Sequence, residues 1–207
     1  MIDMGGIKRL LDLAFAITLL IVFSIPLMLV AIALKMEANG SVIFRQERAG
    51  LKGEVFTLYK LRSIRIFQAG NGFSQKEYEV TPVGRFIRKW RIDELPQLFN
   101  VLKGEMSIVG PRPTLRYQLE RYSPEQWRRL DVKPGLTGWA QIHGDSAISW
   151  PERITMDLWY IDHWSVWLDI VIMVKTPFAL FRIKDINTAS KLPPDEISER
   201  SAGKDTM

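Results

Sequence analysis

The sequence has no cysteine. That excludes thiol catalysis and a disulfide framework, and it fits a reducing, cytoplasmic setting. Histidine is scarce: His143 and His163 are the only two, too few for a His-rich zinc centre. No internal repeat is found. Aromatics interleaved with cations, or a recognition motif, would mark a nucleic-acid binder, and neither is there, so no nucleic-acid partner is expected. Charge is missing from one long stretch. Leu13 to Leu34 holds 22 residues without a charged side chain, about 33 Å as a straight helix and close to the thickness of a hydrocarbon core.

The chain has 207 residues, enough for one domain with appendages, and 47% of them are apolar. Net charge is +5 and the pI about 9.5. Such a balance suits nucleic acid, anionic lipid or phosphorylated substrates without choosing among them.

Hydropathy alone supports a single spanning helix for Leu13–Leu34. A cleaved signal peptide fits less well, because the run is long and no small-x-small site follows. Pro26 sits mid-segment, where it removes a helix hydrogen bond and bends the axis. Ser24, two residues earlier, can bond back to a freed carbonyl. Both flanks are basic, with Lys8 and Arg9 before and Lys35, Arg45 and Arg48 after. The positive-inside rule then favours both ends on the cytoplasmic side, reached by a helix that enters one leaflet, breaks at Pro26 and returns.

Beyond it, Val42–Gln46 and Val55–Leu61 read as two strands around a turn with Gly50 and Gly53. Residues 67–80 read as a mobile loop. "VGRFIRKW" predicts a short amphipathic helix: Val83, Phe86, Ile87 and Trp90 share one face, and Arg85, Arg88, Lys89 and Arg91 surround the other. That basic face is either a solvated surface or a contact for lipid headgroups or phosphates. In "RIDELPQLFNVLKGEMSIVGPRP", Leu95, Leu98, Phe99 and Leu102 recur at helix spacing, with Gly104 as C-cap. Asp93 and Glu94 stand at the helix start, with Pro96 in the first turn. An acid pair there serves capping and the helix dipole, whatever else it does. Residues 133–152 read as Gly-rich loops, and residues 156–181 as a Trp-rich helical region. Five of the seven tryptophans fall between residues 139 and 167. They suit a core, or an aromatic belt at a membrane interface. The tail from about Asp185 is polar and reads as disordered.

Three blocks, "GSVIFRQERAGLKGEVFTLYKLRS", "TPVGRFIRKWRIDELPQLFNVLKGEMSIVGPRP" and "VKPGLTGWAQIHG", together resemble the bacterial sugar transferases. These are monotopic phosphoglycosyl transferases that begin membrane glycan assembly. The resemblance covers nearly all of residues 8–182 and looks like the minimal form of the family. It implies an α+β fold: a re-entrant membrane helix over 1–36, a cytosolic, membrane-interface catalytic domain over 37–184 with a small β-hairpin and amphipathic interfacial helices around the site, and the tail 185–207. It implies transfer of a sugar-1-phosphate from a UDP-sugar to polyprenol (undecaprenyl) phosphate, with release of UMP and a need for magnesium. The implied place is the cytoplasmic leaflet of the bacterial plasma membrane. A homodimer is compatible with that place and is not readable from the chain.

By the resemblance, Asp93 is the nucleophile and Glu94 its partner in the dyad. Glu94 and Asp93 are the expected metal contacts. Arg112, between two prolines in "GPRP", is the expected phosphate fork, because prolines pre-set its backbone. Lys60 and Arg62 of "KLRS", where the family commonly has "KFRS", are expected at the same pocket. Ser24 and Pro26 mark the membrane break, although the family's Ser-Pro pair is here parted by Ile25. Asp145-Ser146 stands where small members that use acetamido sugars often have Arg-Asn. The rival class is a non-catalytic, membrane-anchored nucleotide-sugar-binding protein, which would keep Arg112 but not need Asp93.

Overall fold

The computed structural model describes residues 5–37, 40–68, 76–144 and 147–182. Helix and strand are mixed. A single long helix, α1 (Gly5–Glu37), comes first and carries Pro26 inside it. At 33 residues it is about 50 Å of helix, long and apolar enough to cross a membrane. Strands β1 (Ile43–Ala49) and β2 (Val55–Leu61) follow as an antiparallel hairpin, Ile43 facing Leu61 and Ala49 facing Val55. Gly53 and Lys52 turn the chain between them with φ of 81° and 56°.

Strands β3 (Ile64–Gln68) and β4 (Lys76–Val80) form a second antiparallel pair. This corrects the reading of 67–80 as a loop. "KEYEV" alternates charged and apolar residues as a strand does, a signal hidden behind the Gly-rich residues before it. Residues 69–75 lie outside the described residues, as do Asp145, Ser146 and the tail.

Helix α2 (Pro82–Lys89) is capped by Thr81, whose hydroxyl accepts from the Gly84 N–H. The dyad segment is a 3-10 helix over Ile92–Gln97 that runs into α3 (Leu98–Lys103). Gly104 ends α3 at φ 84°, the expected C-cap. Strand β5 (Ser107–Val109) then leads through the 3-10 helix Arg116–Arg121, α4 (Pro124–Trp127) and the 3-10 helix Arg128–Asp131 to strand β6 (Gly135–Thr137), which pairs with β5 in parallel. Helix α5 (Trp139–Ile142) is short. Helices α6 (Trp150–Asp162) and α7 (Val166–Arg182) complete the described chain.

Helix α6 starts six residues before the stretch that reads as helical. Ser149 and Glu152 cap each other's backbone reciprocally and Pro151 sits in the first turn, so "SWPE" is a start signal with a known mechanism.

Two apolar clusters hold these elements. The larger joins Ala16 of α1, Leu58 of β2, Leu98 and Val101 of α3, Ile108 of β5, Tyr160 of α6 and Ile172 of α7. The smaller joins Leu34 of α1, Leu61 of β2 and Ile87 of α2. Helix α1 therefore enters both. Its first turns are fastened by buried polar contacts: Lys8 Nζ lies 2.5 Å from Asp169 and donates to the Val109 carbonyl, and Asp12 accepts from Ser107 Oγ and Ile108 N. At the other end Glu37 accepts from Val83 N at 3.1 Å. Between the ends, Ile21, Val22, Ile25, Met28 and Leu29 are exposed. The tryptophans divide: Trp139 and Trp164 pack on the larger cluster, whereas Trp150, Trp159 and Trp167 are exposed.

Asn100 fastens α3 to β2. It is fully buried, accepts from Tyr59 N, and donates to the Thr57 carbonyl and to Glu105. One side chain thus sets the distance between the strand carrying Lys60 and the helix that continues from Asp93 and Glu94.

Candidate active site

Arg91 sits at the N-cap of the dyad helix with φ 54°, a left-handed backbone that a non-glycine residue seldom adopts. Asp93 is the second residue of the helix, not its cap, and no side-chain cap bond is made at Arg91. The sequence expectation of Asp93 near the N-cap holds, since Asp93 and Glu94 are in the first turn, although Arg91 rather than Asp93 makes the cap. The consequence is chemical. Asp93 is 8% exposed and its Oδ1 is buried without a hydrogen-bond partner. A buried acceptor left unmade is costly, so helix capping does not account for this carboxylate.

Glu94 is the opposite case. Its Oε1 accepts from Arg112 Nη2 at 2.7 Å and Arg91 Nη1 at 3.1 Å. Oε2 accepts from Arg112 Nη1 at 3.4 Å, and Lys60 Nζ lies 3.6 Å from Oε1. Three cations gather on one carboxylate that is 6% exposed. Burial pushes the Glu94 carboxyl up, but Arg112, Arg91 and Lys60 together hold it well below the ordinary range. Asp93 goes the other way. Burial and the neighbouring Glu94 charge push its pKa up to about 6, against the pull of Lys60, Arg88 and Arg91. Burial lowers the Lys60 ammonium, with Glu94 opposing. Adjacent acids with pKa values driven apart are a pattern found at catalytic carboxylate pairs.

Asp93, Lys60 and Arg62 line one shallow, open-sided recess, together with Phe44 and Ser63. Lys60 is on β2, and Arg62 follows it with its backbone N–H on the Val42 carbonyl. The Arg62 guanidinium packs toward Gly40. The structure thus brings Asp93, Glu94, Lys60, Arg62 and Arg112 to one neighbourhood. Arg112 does so through Glu94 rather than through the recess.

Ser24 and Pro26 stand elsewhere, on the exposed middle of α1. Ser24 Oγ donates to the Ile21 carbonyl at 2.8 Å. The carbonyl that Pro26 leaves without a helical donor is that of Val22, four residues before it. The serine's bond to Ile21 is therefore one residue short of it.

Two residues of the site are missing from the sequence reading. Arg88 and Arg91, which the sequence reading leaves on a basic face for solvent, lipid headgroups or phosphates, turn inward: Arg88 Nε donates to Ser63 Oγ at 2.6 Å and Arg91 pairs with Glu94. Arg91 and Glu94 are three residues apart, a spacing at which helical side chains meet. Gly84 lets α2 approach this close; a Cβ there would sit 2.2 Å from the Ser63 carbonyl oxygen. Arg85, Phe86, Lys89 and Trp90 remain outside.

Magnesium fits the donor set in one form only. No cluster of three or more His, Cys, Asp or Glu exists among the described residues, so an all-protein cage is not offered. Magnesium bound through one or two carboxylates plus substrate phosphates and water needs fewer protein ligands. The unpartnered Oδ1 of Asp93 suits that, with Glu94 adjacent.

The chain matches the family described as bacterial sugar transferase over residues 4–183. It is 47% identical over 171 residues to an uncharacterized sugar transferase, EpsL, of Bacillus subtilis, covering 82% of this chain and 85% of that one. It is 38% identical over 194 residues to the undecaprenyl-phosphate galactose phosphotransferase of Salmonella typhimurium, covering 85% and 40%. It is 40% identical over 193 residues to the UDP-glucose:undecaprenyl-phosphate glucose-1-phosphate transferase of Escherichia coli, covering 86% and 42%. The chain thus spans most of the Bacillus protein but about two fifths of the other two.

Proposed function

The chain belongs to the bacterial sugar transferase family, and on that premise we propose that it moves a sugar-1-phosphate from a UDP-sugar to polyprenol phosphate through a covalent aspartyl intermediate. The observation that carries this reading is Asp93: a buried carboxylate with an unpartnered oxygen, on the wall of a recess that Lys60 and Arg62 also line. An anion attacking a phosphoanhydride needs cations already in place.

In the first step an Asp93 oxygen attacks the phosphorus that bears the sugar. The bond from that phosphorus to the UMP oxygen breaks, and UMP leaves with the electron pair. In the second, an oxygen of polyprenol phosphate attacks the same phosphorus and the Asp93 carboxylate is restored. The products are UMP and a polyprenol-diphosphate sugar. Lys60 and Arg62 hold phosphate oxygens from the β2 side. Arg112 offers a pre-set fork from the other. Glu94 keeps Arg112, Arg91 and Lys60 oriented. Asp93, through its unpartnered Oδ1, would hold magnesium with the donor's phosphates, and the ion would offset the charge on the transferring and leaving groups; Glu94 would join it only by giving up an arginine pair.

A soluble donor and a lipid acceptor must reach one pocket in turn, so the site belongs at the membrane surface. We infer that α1 enters and leaves the same, cytoplasmic leaflet. Both ends are tied to the same body, Lys8 to Asp169 and Glu37 to Val83, while the apolar middle around Pro26 is exposed. A straight spanning helix would carry the two ends to opposite faces.

The test is UMP release. With donor and polyprenol phosphate together, UMP should accumulate over many turnovers. With donor alone it should stop near one per enzyme. Donor binding without any UMP would instead make the chain a nucleotide-sugar-binding protein.

A further inference from the structure

Arg129 is the most enclosed cation of the described chain that the chemistry above leaves unused. It is 2% exposed, and Asp157 of α6, which pairs with it at 2.6 Å, is 1% exposed. A fully buried ion pair is a poor device for stability, since desolvating two charges offsets most of their attraction. What the pair touches is more informative. The guanidinium reaches past Asp157 to Thr114 Oγ1 at 3.2 Å, to the Tyr122 hydroxyl, and to the carbonyl of Arg112 itself at 3.3 Å. Thr114 and Tyr122 bond each other at 2.7 Å. On the far side the same loop is tied to β1, where Ala49 N donates to the Thr114 carbonyl at 2.8 Å.

The loop that carries Arg112 is therefore gripped from both sides, and Arg129, on the 3-10 helix Arg128–Asp131 and anchored to α6 by Asp157, is the grip opposite β1. We propose that Arg129, anchored by Asp157, is a positioning residue that fixes the Arg112 backbone so that its guanidinium stays aimed at Glu94 and the donor phosphates. The proposal rests on the reading of Arg112 as a phosphate fork. A fork works only when held in register, and a displacement of about 1 Å costs up to about a hundredfold in rate. Prolines on either side of Arg112 restrict its φ and that of its neighbours but do not fix where the loop sits. Arg129 does, through a backbone carbonyl that no substitution of Arg112 removes.

The experiment replaces the pair as a unit. Arg129→Met alone leaves Asp157 buried and unpaired and should unfold the chain. Arg129→Met with Asp157→Leu removes both charges at similar volume and should keep the thermal midpoint near that of the native protein. Its kcat/KM for the UDP-sugar should nevertheless fall by about ten- to a hundredfold. The decisive arm adds Arg112→Lys. Because Arg129 acts through Arg112, the pair replacement should cost less than about threefold in that background. A folded double variant with native turnover overturns the proposal, and so does the same loss with and without Arg112→Lys. Should the double variant fail to fold, Arg129→Lys, which keeps the charge opposite Asp157 but not the fork, carries the same two arms. Native kinetics of Arg112→Lys alone would strike the phosphate reading of Arg112 itself, a separate failure from that of the brace.

Discussion

At Asp93, ionisation is opposed by burial and by Glu94, and this has a stability consequence with a definite sign. Its folded pKa is about 6, and an exposed aspartate titrates near 3.9. Between those values the folded chain holds more protons than the unfolded one, so stability falls as pH rises through about 4 to 6. Above pH 6 the ionised group costs on the order of 3 kcal/mol. Asp93→Asn removes that penalty. In magnesium-free buffer at pH 8 the variant should melt no lower than the native chain, with the gap closing toward pH 4, while sugar-phosphate transfer is abolished. A lower melting point with residual transfer would make Asp93 a structural acid. The same titration should make the native rate fall as pH drops below about 6. Glu94→Gln should act in reverse. It leaves Arg91, Arg112 and Lys60 without their shared anion and should destabilise by about 3–5 kcal/mol, read by thermal or denaturant unfolding. The acid pair was legible in the sequence only through the resemblance to the bacterial sugar transferases, because two acids at a helix start read on their own as capping. The inward turn of Arg88 and Arg91 was not, because a helix's basic face reads the same whether it meets solvent, lipid or a buried carboxylate.

Helix α1 is the element on which the topology turns. It runs unbroken through Pro26; on the proposed re-entrant reading, its axis changes direction within the apolar stretch, and Pro26 is where a rung of the backbone ladder is missing. Pro26→Leu should let part of the population straighten and span, which must undo either the Lys8–Asp169 pair or the docking of Leu34 and Glu37. A single cysteine placed at Asp3, in a chain that has none of its own, reports the outcome. Intact cells treated with a membrane-impermeant thiol reagent should leave the native topology unlabelled and label part of the Pro26→Leu population. Labelling of Asp3→Cys with Pro26 in place would contradict the re-entrant reading. Asn100 is the second element-scale joint. Asn100→Ala strands the Tyr59 N–H and the Thr57 carbonyl in a buried seam and should cost about 2–4 kcal/mol in unfolding measurements. The hairpin, α2 and α3 were readable from period and turn residues. The β3–β4 pair was not, since its strands flank a Gly-rich stretch that reads as loop, nor was the parallel β5–β6 pair, since strands of 3 residues carry no period of their own and pair across the helices between them. The start of α6 was readable in principle, because Ser149-x-x-Glu152 with Pro151 states its own mechanism.

For the whole molecule, the recess that bears Asp93, Lys60 and Arg62 borders the smaller apolar cluster through Leu61, and both clusters include α1. Exposed apolar side chains continue outward from that helix, with Phe86 and Trp90 on α2 and Trp167, Val174 and Phe178 on α7. A body of this kind, with net charge +5, is suited to sit against an anionic lipid surface, where the soluble and lipid substrates of the proposed reaction would meet. The central claim, however, concerns a bond. With the UDP-sugar that a donor screen selects, and no polyprenol phosphate, intact-protein mass spectrometry should show the chain gaining the mass of one sugar-phosphate. Peptide mapping should place it on Asp93, it should be missing from Asp93→Asn, and it should vanish when polyprenol phosphate is added. Product formed at full rate with no such adduct, or an adduct on any other residue, would contradict covalent transfer through Asp93.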